Sequence, residues 1–93
     1  PETELEIQIV QKESGVDVDI AEKLVNAAGK IRNLVHQGLE EGVSTRELVY
    51  AAKLLKSGVA PKNALHSTMI ESLTYDQDLK ASILEVLKNY FNL

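Results

Sequence analysis

Residues 17–38 read DVDIAEKLVNAAGKIRNLVHQG, and this stretch decides the fold class. Its apolar members Ile20, Leu24, Ala27, Ala28, Ile31, Leu34 and Val35 fall at i, i+4, i+7, i+8, i+11, i+14 and i+15. That is the spacing of one face of an α-helix, and it cannot be the alternation of a strand. Asp17 or Asp19 offers a carboxylate to the free amides at the start, and Gly38 ends the element. Gly29 sits beside Ala27 and Ala28, where a glycine costs about 1 kcal/mol relative to alanine. The run of small residues there predicts a close helix crossing.

The flanking segments carry the same period. Upstream, Leu5 and Ile9 with Ile7 and Val10 predict a short helix over 1–14, stopped at Gly15. Downstream, after a linker over 39–43, Ser44-Thr45-Arg46-Glu47 has the spacing of a capping box. It opens a third helix with Leu48, Val49, Ala52 and Leu55 inward, and Gly58 is its stop signal. Pro61 suits the first turn of a fourth helix, with Ala64, Leu65 and Met69 inward and Leu73 following. Residues 74–78 read as a turn and cap, and Leu79, Ile83, Val86, Leu87, Tyr90 and Phe91 mark a fifth helix. Stripes this narrow are stable only when packed on one another, so the expectation is an all-α, compact bundle of about five helices.

Size and charge restrict what such a bundle can do. Ninety-three residues with 44% hydrophobic side chains support one core, so 1–93 reads as a single domain with little stability to spare for a deep catalytic cavity. The absence of cysteine excludes disulfides, thiolate metal sites and a cysteine nucleophile. No apolar run approaches the ~18 residues of a membrane span, and the acidic start is unlike a signal peptide, which makes the cytoplasm the default. The net charge of −4 disfavours binding to nucleic-acid backbones. Within the chain, 1–22 hold seven acids against Lys12, whereas 23–38 hold Lys23, Lys30 and Arg32 without an acid. Solvated helix faces that complement the helix dipole account for that distribution.

Few residues suggest chemistry. His36 and His66 lack a second ligand at one-turn spacing, and Glu2, Glu4, Glu6, Glu40 and Glu41 lie in hydrophilic stretches where solvation is expected. Tyr50, Tyr75 and Tyr90 do not alternate with bases as a stacking platform would, and no GxxxxGK[ST] loop occurs. Arg46 stands apart. It lies in the first turn of a helix, where the dipole disfavours a cation by roughly 0.3–1 kcal/mol. An arginine beside free helix amides makes a concentrated anion site, matched to phosphate by charge and by the guanidinium fork. The plainer reading is a solvent-facing arginine partly neutralised by Glu47 or Glu41.

The order of motifs completes the picture. Glu4-Leu5-Glu6-Ile7, Glu13-Ser14-Gly15-Val16-Asp17, Lys30-Ile31-Arg32-Asn33-Leu34, Gly38-Leu39-Glu40-Glu41-Gly42-Val43-Ser44-Thr45-Arg46, Leu48-Val49-Tyr50-Ala51-Ala52, Gly58-Val59-Ala60-Pro61 and Leu73-Thr74-Tyr75-Asp76 follow one another along the chain. In this order they resemble the C-terminal domain of the MoxR-type AAA+ ATPases of the CbbQ/NirQ/NorQ group. The resemblance implies a helical lid that follows an α/β nucleotide-binding core, with the G-x-S-T-R arginine, here Arg46, as sensor 2 against an ATP phosphate. Ser44 and Thr45 of that segment are implied beside it in the cofactor site. It implies ATP, with magnesium in the core domain, and a chaperone-like parent ATPase that hydrolyses ATP in a hexameric homo-oligomer ring. A von Willebrand factor A domain partner and a client metalloenzyme of Rubisco or nitric-oxide reductase type are implied as well. The Walker A and B residues have no counterpart in these 93 residues, so the piece alone is expected not to be an enzyme and to begin after the core. Residues 63–71, with His66, match the pattern least and inherit no role. The competing readings are a helix-turn-helix DNA-binding domain, with Arg46 on DNA, and a bare protein-interaction module. Some apolar surface is expected where the core domain and the next subunit dock.

Overall fold

A computed structural model describes residues 3–35, 43–70 and 76–93. The described residues contain five α-helices: α1 (Thr3–Ser14), α2 (Val18–Val35), α3 (Thr45–Lys56), α4 (Pro61–Leu65) and α5 (Gln77–Lys88). A π-helical turn, His66–Ile70, continues α4. No strand occurs among the described residues, and the all-α bundle expected from the apolar spacing is what forms. No helix among them is long and apolar enough to cross a membrane.

Local chemistry sets most of the helix ends. Asp17 caps α2, its Oδ1 accepting from the Ile20 amide at 3.0 Å, so of the two candidate aspartates it is Asp17 that serves. At α3 the capping box is complete: the Ser44 side chain accepts from the Glu47 amide at 3.2 Å, and Glu47 Oε1 accepts from the Ser44 amide at 3.0 Å. The helix closes in a Schellman arrangement, with the Gly58 amide donating to Leu55 O and the Val59 amide to Leu54 O. Gly58 takes φ +100° there, a conformation that a side chain would strain. Pro61 occupies the first turn of α4, and Asp76 caps α5 through the amides of Asp78 and Leu79. The π turn carries a buried Thr68 whose hydroxyl donates to Ala64 O at 2.7 Å, so this polar group enters the core with a partner.

Helices α2 and α3 form the centre. α1 lies on both, α5 covers the other side of α2, and the π turn bridges α3 and α5. The core joins Val10 of α1 to Ala21, Leu24, Ala27, Ala28 and Ile31 of α2. Leu48, Ala51 and Ala52 of α3, Leu65, Met69, Ile83 and Leu87 belong to it as well, with Val16, Val25, Val43 and Ile70. The inward placement of Ala64, Leu65 and Met69 is as the sequence predicts.

Three expectations fail. The stripe of α1 is not led by Leu5 and Ile9, which are 51% and 38% exposed, but by Val10 and Glu6, a carboxylate only 2% exposed. The spacing i, i+4 fits two overlapping faces of one helix, and a polar partner, described below, selects the face that carries Glu6. Leu34, at the end of the α2 stripe, is also exposed. Gly29 marks no close crossing: a Cβ built on it meets nothing within 4 Å. The places of Gly38, Leu73, His36, Tyr75, Glu2, Glu40 and Glu41 lie outside the described residues.

Candidate functional site

The start of α3 is held in place from below by a buried carboxylate. Glu6 Oε1 accepts from Arg32 Nη1 at 3.0 Å and Oε2 from Arg32 Nη2 at 2.7 Å, a bidentate pair between α1 and α2. The same Oε2 accepts from the hydroxyl of Thr45, the first residue of α3, at 2.7 Å. Arg32 Nε donates to Val43 O at 2.8 Å, two positions before Thr45. One carboxylate and one guanidinium thus bind three helices at the point where α3 begins.

The electrostatics follow from these contacts. The Arg32 guanidinium holds the Glu6 carboxyl below the usual carboxylate range, against the opposing effect of burial and with help from the Thr45 hydroxyl. Glu6 in turn raises the already high pKa of Arg32. Glu6 is therefore a structural anion, and the solvated role expected for it is wrong. Glu4, two residues earlier on the same helix, is exposed, as expected.

Above this clamp the three residues expected at the phosphate site have separate tasks. Ser44 is committed to the cap, its hydroxyl accepting from the Glu47 amide. The Thr45 hydroxyl is committed to Glu6. Arg46 is exposed, and its side chain takes part in no hydrogen bond or ion pair among the described residues. Glu47 does not neutralise it, because that carboxylate turns back to the Ser44 amide. The amides of Thr45 and Arg46 belong to the first turn, which has no intrahelical acceptors for them. The guanidinium therefore stands by the positive end of a helix dipole with no anion supplied by the described residues around it.

Arg46 also forms one end of a shallow groove of about 360 Å³, lined with Glu47, Val49, Tyr50 and Lys53. Arg46, Tyr50 and Lys53 lie one turn apart on the outward face of α3, opposite Leu48, Ala51 and Ala52. Tyr50 is 57% exposed, a large aromatic with its ring left in solvent. His66 is exposed beside Lys62, Asn63 and Ser67, and no group of His, Asp or Glu side chains among the described residues is placed to hold a metal.

Sequence reasoning missed the Glu6 clamp. Arg32 is one of three bases on α2, with Lys23 and Lys30, and nothing in the chain points from it to one acid among several.

Comparison with known proteins identifies the family. Residues 6–90 match the family described as CbbQ/NirQ/NorQ C-terminal. The chain is 46% identical to Protein NorQ of Paracoccus denitrificans (strain Pd 1222) over 91 residues, 98% of this chain and 34% of that protein. It is 43% identical to Protein CbbQ of Hydrogenophilus thermoluteolus over 98% of this chain and 34% of that protein. Denitrification regulatory protein NirQ of Stutzerimonas stutzeri is 33% identical over 98% of this chain and 33% of its own length. The chain belongs to the CbbQ/NirQ/NorQ C-terminal family, and it spans about a third of the length of these relatives.

Proposed function

We propose that this domain is the lid of an AAA+ ATPase and that Arg46 is its sensor of bound nucleotide, meeting the γ-phosphate of ATP while it is present and releasing it after hydrolysis. The observation that carries the reading is the state of Arg46: an exposed guanidinium with no anion beside it among the described residues, on a helix start whose neighbouring hydroxyls are already used. The donor set suits a phosphate, since the guanidinium fork and first-turn amides both favour an anion and no carboxylate competes for Arg46 among the described residues. Magnesium and the hydrolytic groups belong to the nucleotide-binding core, and the part of this domain is to bring one charge to the phosphate.

Family membership supports the rest. The parent is a chaperone-like ATPase that assembles as a homo-oligomeric ring of six and works with a von Willebrand factor A domain protein. Together they remodel a metal-dependent client enzyme of nitric-oxide reductase or Rubisco type in the cytoplasm. Leu5, Ile9, Val18, Leu34 and Tyr50, all large and exposed, supply the apolar surface for docking on the core domain and a neighbouring subunit. A DNA-binding role gains nothing from the geometry: the outward face of α3 offers Arg46 and Lys53 interrupted by Val49 and Tyr50, in a chain of net charge −4.

The test is Arg46→Ala in the full-length protein. Impaired ATP turnover with a folded lid is expected. Unchanged turnover together with unchanged nucleotide-dependent assembly would reject the role.

A further inference from the structure

The Thr45 hydroxyl points away from the groove that Arg46 borders and toward a carboxylate buried between α1 and α2. A threonine at the first position of a helix needs no such bond, because its hydroxyl can remain hydrated at no cost. Here it is the one side-chain hydrogen bond from the first turn of α3 into the body of the domain among the described residues. The acceptor is fixed in turn. Glu6 is held by both Nη atoms of Arg32, and Arg32 is held by Val43 O immediately before the cap. Every link is within 3.0 Å, and together they return to the residues that flank Arg46 on its N-terminal side.

Resting on the nucleotide-sensor reading above, we infer that Thr45 and Glu6 are positioning residues for Arg46, fixing where its helix turn stands relative to the rest of the domain. An exposed guanidinium on a frayed first turn would bind an anion after an ordering step. Anchoring the adjacent residue to a buried, doubly held carboxylate removes that step, so Arg46 meets phosphate from a preset position. The arrangement also transmits movement. A pull on Arg46 by the nucleotide reaches Thr45 through the backbone, and from there α1 and α2 through Glu6 and Arg32, so the domain responds as one body.

The experiment measures steady-state ATP turnover of the full-length protein with Thr45→Val, Thr45→Ser, Arg46→Ala and the double variant Thr45→Val/Arg46→Ala. Thr45→Val keeps the shape and removes the hydroxyl; KM for ATP is expected to rise about three- to tenfold, the range of one lost hydrogen bond, with a smaller change in kcat. Thr45→Ser restores it. In the Arg46→Ala background, Thr45→Val adds nothing further, because its effect passes through the missing guanidinium. Glu6→Gln, which keeps an acceptor for Thr45 but loses the ion pair, lowers Tm while leaving KM within about twofold. Full additivity of the two substitutions, or a Thr45→Val protein with unchanged KM, would overturn the assignment. If Arg46→Ala itself leaves turnover unchanged, it is the sensor reading that fails. Should Thr45→Val not fold, Thr45→Ala takes its place: a raised KM there with wild-type KM in Thr45→Ser sustains the assignment, and an unchanged KM in Thr45→Ala overturns it.

Discussion

Glu6 and Arg32, separated by 26 positions, form a bidentate ion pair that is sealed on the Glu6 side and partly open to solvent on the Arg32 side. The asymmetry determines what each partner's removal does. Arg32→Ala leaves a carboxylate buried with only Thr45 to satisfy it, and a loss of about 3 kcal/mol in unfolding free energy is expected from urea titration. Replacing both, as Glu6→Leu/Arg32→Met, should recover a large part of that loss, since no charge is then left buried.

Acid should weaken the domain through the same pair. The folded-state pKa of Glu6 lies below its ordinary value of 4.5, so its contribution is fully present above that value and is lost as pH falls through the lowered folded-state value. Tm measured from pH 7 downward should change little until about pH 5 and then fall. In Glu6→Gln the acid limb should be shallower; an unchanged limb would mean that other groups dominate the acid transition.

Two glycines make opposite predictions from the same substitution. Gly29 lies within α2, and an added Cβ meets no atom within 4 Å, so Gly29→Ala should stabilise the domain by about 0.5–1 kcal/mol. Gly58 also has open space around it but stands at φ +100°, so Gly58→Ala should destabilise it by about 1 kcal/mol. Thermal melts of the two variants check both signs.

Ser44→Ala removes the cap of α3 and is expected to cost about 1 kcal/mol, read as a lower Tm. The Glu47 carboxylate keeps the backbone amide of residue 44 as its donor, so ATP binding by the full-length protein should stay within about twofold of the wild type. Ser44→Asp, which restores an acceptor for the Glu47 amide, should recover stability but weaken ATP binding, since it adds a negative charge close to Arg46.

Features written in neighbouring residues could be read from the chain, and those made by distant ones could not. The Ser44 to Glu47 capping box, Pro61 at the start of α4 and the glycine stop at Gly58 are local patterns, and each forms as expected. Arg46 drew notice because it breaks the dipole rule, and the structure places it exposed at that helix start. The Glu6 clamp was invisible because its three members come from three helices, and an acid among acids gives no sign of burial. Leu5 and Ile9 misled because helical periodicity defines a face but not which of two overlapping faces turns inward. The π turn at 66–70 is marked by no residue type, since it depends on where the Thr68 hydroxyl and the core around Met69 settle.

The most direct test of the central claim compares a non-hydrolysable ATP analogue with ADP for binding to the full-length protein and its Arg46→Ala variant by calorimetry. If Arg46 meets the γ-phosphate, the substitution weakens the ATP analogue by about tenfold or more, the range of a charge-assisted contact, and leaves ADP nearly unchanged. Equal loss for both nucleotides, or none for either, would contradict the account.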